Sequence, residues 1–185
     1  MLTEHETQQF AKGPMKVAPG RKLSYIYITH GHADHVLGLS QLAERFPEAI
    51  AVATKAIIQY VEQQLGEDYF SSTWEMFFPD GQIYKPGTKP KPLPDCNEFK
   101  LGGRWLFKAV EVGHSDKYDS SFLWVPDLRL AVCGDVAYGE VHQMLLEANM
   151  KAKREKWIRP VEQVQALNPV HVVAGHKKAE EQDAA

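Results

Sequence analysis

The residues able to do chemistry are concentrated in one short segment and three later positions. Three of the eight histidines lie in residues 30–35, which read His-Gly-His-Ala-Asp-His. His114, Asp135 and His176 follow, each near the end of a predicted strand or at a turn that leaves one. Imidazole nitrogens and carboxylate oxygens are ligands that borderline divalent metals such as zinc accept. The pattern therefore predicts a metal centre rather than a set of structural histidines.

The spacing within residues 30–35 indicates two metal positions. His30 and His32 are two residues apart, which places them on one side of an extended segment. Asp34 and His35 project from the following turn, at the start of a predicted helix, toward a second point. Asp135 has two carboxylate oxygens with which to bridge two ions. Because sites in α/β proteins assemble where strands end, we expect these groups to converge there.

Alternating strands and helices must position these residues. Hydrophobic patterns predict strands over residues 23–29, 49–53, 104–112, 121–125, 128–133 and 170–174, the first of them buried on both faces. They predict helices over residues 36–46, 54–65 (capped by Thr54 and closed by Gly66) and 140–167. Residues 1–20 and 177–185 are polar and are expected to be tails, and the proline-rich segment 68–98 a long loop. This order predicts a single α/β domain over residues 1–185, with helices on the faces of a mixed sheet.

Composition excludes several classes of protein. Lys and Arg total 21 against 24 Asp and Glu, a net charge of −3, which argues against a nucleic-acid partner. No apolar run approaches the roughly 18–20 residues that cross a bilayer, so no membrane partner is expected. The first residues lack the apolar core of a secretory signal peptide, and two cysteines are too few for a disulfide scaffold. We therefore expect a cytoplasmic protein.

These residues together resemble the metallo-β-lactamase superfamily. Residues 29–35 read T-H-G-H-A-D-H, similar to the T-H-x-H-x-D-H motif, and V-G-H-S, C-G-D and A-G-H follow in the order of the later motifs. The resemblance implies an αββα sandwich of mixed sheets with outer helices. It implies two metal ions, zinc by default with Mn²⁺ or Fe²⁺ as alternatives. By this resemblance His30, His32 and His114 hold the first ion, Asp34, His35 and His176 the second, and Asp135 both.

The third motif indicates a branch of the superfamily. Its true β-lactamases lack a bridging aspartate at the position of Asp135, so the chain is more similar to the glyoxalase-II-like and lactonase-like branches. Tyr138 follows Asp135 in a D-x-x-Y spacing similar to that of acyl-homoserine lactone lactonases, where the tyrosine contacts the substrate carbonyl. The resemblance thus implies two catalytic residues, Tyr138 and Asp34, the latter orienting the nucleophile or receiving a proton. Cys133 is expected to be a buried core thiol.

The function expected from this resemblance is that of a dinuclear zinc hydrolase. It would cleave a small-molecule lactone, lactam or thioester by attack of a metal-bound hydroxide on the carbonyl. Two alternatives remain open: a truncated, weakly active or inactive metal-binding remnant and, disfavoured by charge and size, a nuclease of the same superfamily. Only 29 residues precede the first motif, so we expect a fold short at the N-terminus, lacking the first strands, with an exposed edge at strand 23–29.

Other polar and aromatic residues receive structural interpretations. His5, His142 and His171 are expected to lie in a tail, on a helix face and within a strand. Asp116 and Asp119 are expected to form a turn rather than bind metal, and Ser115 to support this turn or the ligands. A homodimer is left open as a partner beside the small-molecule substrate. Trp74, Phe77 and Phe78 either line a substrate pocket or bury such a dimer contact.

Overall fold

Two separate sheets contain all the strands in the part of the chain that the structure describes, which is residues 1–180 and residue 183. The structure is a computed structural model, in which residues 1–92 and 93–185 form two compact units. The expected α/β class with mixed sheets is confirmed, while the prediction of a single domain stays a prediction. Among the described residues, no helix has the length and apolar character needed to span a membrane.

The first unit contains a small parallel sheet and most of the helices. Its strands, in the spatial order β1-β2-β3, are β1 (Tyr25–Tyr27), β2 (Ile50–Ala53) and β3 (Lys91–Pro92). Its helices are α1 (Glu4–Val17), α2 (Ala33–Val36), α3 (Leu39–Arg45), α4 (Lys55–Leu65), α5 (Glu67–Tyr69), a π-helix (Phe70–Trp74) and α6 (Glu75–Phe77). Because β1 pairs only with β2 among the described residues, it lies at a sheet edge, as expected.

The core of the first unit lies against the segment that carries the first motif. Val36 and Leu37, at the end of α2, are buried with Ile57 and Val61 of α4. Ile28, just before the motif, belongs to the same cluster. The two ends of the motif are therefore fixed by hydrophobic packing, which limits how far its polar side chains can move.

The expectation that residues 1–20 form a tail is wrong, because residues 4–17 are helical. Thr3 caps this helix: its Oγ1 accepts a hydrogen bond from the Glu6 N–H, and the Glu6 carboxylate accepts one from the Thr3 N–H. This reciprocal pair is a capping box. Only Thr7 and Ala11 are buried on the helix, so its apolar face is too small to show in the hydrophobic pattern.

Three further predictions for the first unit need correction. Strand 23–29 is shortened to β1 and is half-buried instead of buried on both faces. The helix expected over 36–46 begins at Ala33 and is divided into α2 and α3 around Gly38, where an added Cβ would lie 2.6 Å from Thr7 Oγ1. The segment 68–98 is helical through Phe77 before it becomes irregular. Helix 54–65 is confirmed, although the Thr54 side chain makes no cap hydrogen bond.

The second unit is a five-stranded mixed sheet with one long helix. Its strands, in spatial order, are β4 (Glu98–Leu101), β5 (Trp105–Gly113), β6 (Ser120–Val125), β7 (Leu130–Gly139) and β8 (His171–Lys177). Neighbours are antiparallel except β7 and β8, which are parallel. A 3₁₀ turn (Pro126–Leu128) joins β6 to β7, and α7 spans Lys151–Ala166.

Several elements in this unit differ from the prediction. The strand expected over 128–133 continues as β7 to Gly139, the strand expected over 170–174 continues as β8 to Lys177, and β4 was not predicted. Residues 140–150 are not helical. Two backbone carbonyls there accept side-chain hydrogen bonds from α7, Glu147 O from Lys153 Nζ and Ala148 O from Arg154. The expected C-terminal tail begins later than residue 177, because Lys177 is still in β8. Residues 181, 182, 184 and 185 of that predicted tail lie outside the described residues.

The core of the second unit anchors β7 to α7. Trp157 of α7 donates its indole N–H to the Val136 carbonyl at 3.0 Å. Cys133 is fully buried in the hydrophobic cluster that also contains Val136. Burial raises the pKa of the Cys133 thiol to about 12. The prediction of a core thiol is therefore confirmed. These contacts hold the central part of β7, which includes Asp135, in a fixed position.

We expect loss of the Thr3 cap to destabilise α1. In Thr3→Ala the Glu6 N–H loses its acceptor, which typically costs about 1 kcal/mol of helix stability. Hydrogen exchange of the amides in the first turn of α1 should become faster, whereas Thr3→Ser, which keeps the hydroxyl, should exchange like the original chain. Equal exchange in the alanine and serine variants would contradict the capping box.

Candidate metal centre

The loop after β1 brings two imidazoles together. His30 is 1% exposed, and its Nε2 lies 3.1 Å from Nδ1 of His32. The other ring nitrogen of His30 lies 3.1 Å from Thr29 Oγ1, which fixes the ring orientation. The ring centroid of His35 is 4.1 Å from that of His30. Three of the predicted ligands thus pack as one histidine cluster within the first unit.

A glycine between the first two histidines permits this arrangement. A Cβ on Gly31 would lie 2.6 Å from Tyr60 Cβ and 3.2 Å from the Val61 backbone nitrogen, both in α4. The motif backbone therefore passes directly against α4, where no larger residue fits without displacing the helix.

Asp34 and His35 belong to the short helix α2. Their side chains are partly exposed, and Asp34 Oδ2 lies 3.3 Å from His35 Nε2. A carboxylate and an imidazole at this separation offer one oxygen and one nitrogen ligand from adjacent residues. Both residues lie in the first turn of α2. That they point toward a second metal position stays a prediction.

In the second unit, Asp135 and His176 meet across the parallel strands β7 and β8. Asp135 is 3% exposed, and its Oδ2 lies 3.3 Å from His176 Nε2. The Tyr138 hydroxyl donates a 2.6 Å hydrogen bond to the same oxygen, and the Tyr138 ring stacks on His176 at 5.4 Å. Burial, followed by the Asp135 carboxylate, raises the pKa of Tyr138 well above its usual value. Tyr138 therefore keeps its proton, donates a hydrogen bond to Asp135 and holds this carboxylate in place.

A bulge next to Asp135 shapes this half of the site. Gly134 pairs with Ala174 and Tyr138 with His176, so residues 135–137 lie opposite the single residue Gly175. A Cβ on Gly175 would lie 2.1 Å from Asp135 Oδ1 and 2.7 Å from the Gly134 carbonyl carbon. Bulges of this kind redirect side chains and are common beside active sites. The absent side chain of Gly175 thus leaves the space that the Asp135 carboxylate occupies.

His114 lies directly after β5 and is 6% exposed. Neither of its ring nitrogens makes a hydrogen bond to any residue that the structure describes, and its ring centroid lies 4.5 Å from that of Tyr118. Burial, followed by the charge of Lys153, lowers the pKa of His114. A buried imidazole with no hydrogen-bond partner is unfavourable by itself, whereas a metal ion would satisfy one nitrogen. This observation shows that His114 fits the predicted role of a metal ligand.

Sequence reasoning did not anticipate the burial of Asp116. Its side chain is 0% exposed, Ser115 donates a 3.0 Å hydrogen bond to its Oδ1, and one of its oxygens lies within 4.8 Å of an Asp135 oxygen. The surrounding residues, H-S-D-K-Y-D-S-S, have the composition of a surface turn. No local signal in such a sequence shows that the turn folds inward.

The other residues considered lie away from these groups. His5, His142 and His171 are exposed; His5 is in α1 instead of a tail, His142 is outside any helix, and His171 begins β8 instead of lying inside it. Trp74 and Phe78 pack against the core of the first unit, whereas Phe77 is exposed. Their predicted role in a pocket or dimer stays a prediction.

The predicted ligands therefore form two groups, one in each unit. The first unit supplies His30, His32, Asp34 and His35, and the second supplies His114, Asp135 and His176. Their nitrogen and oxygen atoms form a donor set that suits a borderline divalent ion. Which residues share an ion stays a prediction.

Comparisons with known proteins agree with this description. The family model described as Metallo-beta-lactamase superfamily matches residues 10–176. No curated protein sequence matches the chain. The solved structure of metallo-beta-lactamase IND-7 is similar with a TM-score of 0.64 and 12% identity, over 99% of this chain and 75% of that one.

Two further solved structures share the fold. Metallo-beta-lactamase FIM-1 from Pseudomonas aeruginosa, in its mono-zinc form, has a TM-score of 0.59 and 12% identity, over 94% of this chain and 67% of that chain. The flavodiiron protein from Giardia intestinalis has a TM-score of 0.61 and 13% identity, over 94% of this chain and 42% of that chain. At these identities the likeness concerns the fold alone.

We expect Gly175→Ala to disturb the Asp135 position. The new methyl group would collide with the Asp135 carboxylate and with the Gly134 backbone, and overpacking of this kind costs about 1–3 kcal/mol. Chemical denaturation should show this loss of stability. Gly87→Ala is the matched control, because a Cβ there meets no atom within 4 Å. Equal stability of the two variants would show that β8 does not approach Asp135 this closely.

Proposed function

We propose that this chain, which belongs to the metallo-β-lactamase superfamily, is a metal-dependent hydrolase of a small-molecule lactone, lactam or thioester. The observation that carries the proposal is the set of histidines and aspartates in the two units, all within or at the end of the residues that the family model matches. His114 adds specific support, since its buried ring nitrogens have no hydrogen-bond partner within residues 1–180 or at residue 183.

The proposed ligands follow the order of the superfamily motifs. His30, His32 and His114 would hold one ion, Asp34, His35 and His176 the other, and Asp135 both. Divalent ions, when bound, supply a Lewis acid for a carbonyl oxygen and lower the pKa of water. Zinc is the first candidate, because imidazole ligands suit it and a structure of the similar FIM-1 is in a mono-zinc form. Mn²⁺ and Fe²⁺ are the alternatives.

Asp34 is the proposed proton acceptor of the reaction. Its carboxylate is partly exposed, unlike the buried Asp135, so it is accessible to a water molecule and to a substrate. It also lies in the first turn of α2, which is anchored in the core by Val36, and this anchoring keeps the carboxylate in place. We propose that Asp34 orients the attacking water, receives its proton and passes this proton to the leaving group.

Tyr138 has a positioning role in this proposal. A phenol has one hydrogen to donate, and Tyr138 donates it to Asp135 Oδ2. A direct contact with the substrate carbonyl, as implied by the lactonase resemblance, requires this hydrogen bond to break first. The D-x-x-Y spacing supports a lactonase-like or glyoxalase-II-like branch and a lactone or thioester substrate in particular.

The proposed partner is a small molecule, not a nucleic acid or a membrane. The net charge of −3 supports this, because nucleic-acid binding generally depends on a basic surface. We also propose a cytoplasmic location, a homodimer, and a pocket lined by aromatic residues of the first unit.

Metal removal and reloading test the proposed function. The purified chain should hydrolyse at least one member of a panel of lactones, β-lactams and thioesters, lose this activity after chelation and regain it with zinc. His32→Ala should lower the rate by more than the ~10–100-fold that loss of an outer-shell partner costs. His142→Ala replaces an exposed histidine outside the donor set and should keep the original rate.

Three outcomes of these experiments would contradict the proposal in different ways. Hydrolysis that survives chelation would contradict a metal-dependent reaction. Equal activity of His32→Ala and His142→Ala would show that the first motif does not serve the reaction. A folded, metal-loaded chain inactive on the whole panel would favour the inactive remnant.

A further inference from the structure

We propose that the loop over residues 140–150 binds the apolar part of the substrate, and that Met144 and Leu146 are specificity-determining residues. The occupant that fits this loop is a neutral aliphatic chain attached to the reacting lactone or thioester. This inference rests on the proposed function, because it concerns the substrate of the same site.

The loop exposes several apolar side chains to solvent. Val141, Met144, Leu146 and Met150 have exposed fractions of 37%, 54%, 76% and 61%. Single exposed apolar residues are normal on a protein surface, whereas several within one short segment indicate a binding surface. Two of the four are methionines, whose unbranched and flexible side chains adapt to ligands of different shape.

The loop is continuous with the second-unit residues of the candidate metal centre. It follows β7 directly, and Tyr138, whose hydroxyl donates to Asp135, is the residue before the end of that strand at Gly139. Burial raises the pKa of Tyr138 most strongly, and a hydrogen bond from the Met144 backbone acts in the opposite direction. An exposed residue of the loop therefore lies next to a group that contacts a proposed metal ligand.

A second set of contacts links the loop to His114. Lys153 Nζ donates a 2.8 Å hydrogen bond to the Glu147 carbonyl and lies 5.8 Å from the centroid of the Tyr118 ring. The Tyr118 ring centroid is in turn 4.5 Å from that of His114. The loop is thus connected to the site at two places, near Asp135 and near His114.

Side-chain contacts hold the loop in position while its apolar side chains stay exposed. Ala148, within the loop, is 0% exposed and anchors it in the second unit. Glu140 forms an ion pair with Lys178 at 3.1 Å. Glu147 forms one with Lys117 at 2.8 Å. A surface held in this way loses less conformational entropy on binding than a mobile one does.

The charges of the loop favour a neutral chain over an ionised one. Residues 140–150 read E-V-H-Q-M-L-L-E-A-N-M and contain no Lys or Arg, so an anionic substituent meets no permanent cation within the loop. A cationic substituent would meet two glutamates that already have lysine partners. An aliphatic chain, in contrast, is stabilised here because it removes the exposed Met and Leu side chains from water.

NMR of the methionine methyl groups measures this binding without any turnover. Of the five methionines, Met144 and Met150 lie in the loop, whereas Met76, which is 66% exposed, lies in α6 of the first unit. The full chain, supplied with zinc and labelled with ¹³C-methyl methionine, is titrated with 2-methyl-, 2-butyl- and 2-octylcyclopentanone. These ketones resemble lactones but cannot be hydrolysed.

We expect the Met144 and Met150 methyl signals to shift during the titration and the Met76 signal to stay in place. Affinity should rise by up to about 2-fold for each added CH₂, which is about half of the free energy that complete burial of a CH₂ supplies.

Matched substitutions test whether the loop side chains cause this effect. Met144→Gln and Leu146→Asn keep the side-chain size at exposed positions and make each side chain polar. Leu128→Asn makes the same change at a 48% exposed position in the turn before β7, at the other end of that strand. We expect each loop variant to weaken binding of the octyl ketone by about 3-fold to 10-fold and binding of the methyl ketone by less than about 2-fold. Leu128→Asn should change neither affinity.

Several results would overturn the inference. Unmoved Met144 and Met150 signals would do so, as would equal affinity for the three ketones or equal effects of Leu146→Asn and Leu128→Asn. Loop signals that shift with protein concentration alone, together with a dimer in analytical ultracentrifugation, would assign the loop to an interface between copies of the chain instead.

Failure of the proposed function gives a different result. A chain that binds the octyl ketone through the loop but hydrolyses no lactone, β-lactam or thioester overturns the proposed function and keeps the apolar binding surface. A chain that hydrolyses lactones at rates independent of their chain length, with unmoved loop signals, overturns this inference alone.

Discussion

Burial of polar side chains next to the hydrophobic cores is the constraint on which this structure depends. His30, His114, Asp116 and Asp135 are all nearly inaccessible to water. Removing such groups from water costs free energy unless hydrogen bonds or ions compensate them. Hydrogen bonds from Tyr138 to Asp135 and from Ser115 to Asp116 offset part of this cost. The metal coordination proposed for His114 would supply what is missing there, and it would link burial to function.

At two glycines the backbone passes very close to neighbouring atoms, and this makes room for the buried polar side chains. Gly31 lets the first motif pass against α4, and Gly175 leaves room for the Asp135 carboxylate beside β8. Gly31 lies in the loop between His30 and His32, and Gly175 lies in β8 opposite Asp135. Rigid elements thus support the side chains, as expected for groups that must keep a fixed geometry.

Strong patterns in the sequence predicted most strands and the positions of the proposed ligands. The apolar runs at β2, β6 and β8 and the spacing of His30 and His32 are local signals of this kind. Helix α1 was missed because its buried face has only two small residues, Thr7 and Ala11. The coil at 140–150 has no clear local signal, although Lys153 and Arg154 of α7 donate hydrogen bonds to the Glu147 and Ala148 carbonyls there. Burial of Asp116 likewise depends on tertiary packing, which a turn-like local composition does not reveal.

Metal content per folded chain tests the central claim most directly. The original chain, purified without added metal and verified as folded by circular dichroism, should be analysed for zinc, manganese and iron. A dinuclear centre predicts about two bound ions per chain, in agreement with the two-metal sites of hydrolytic enzymes. A folded chain that contains no metal, and takes up none when zinc or manganese is supplied, would contradict the account.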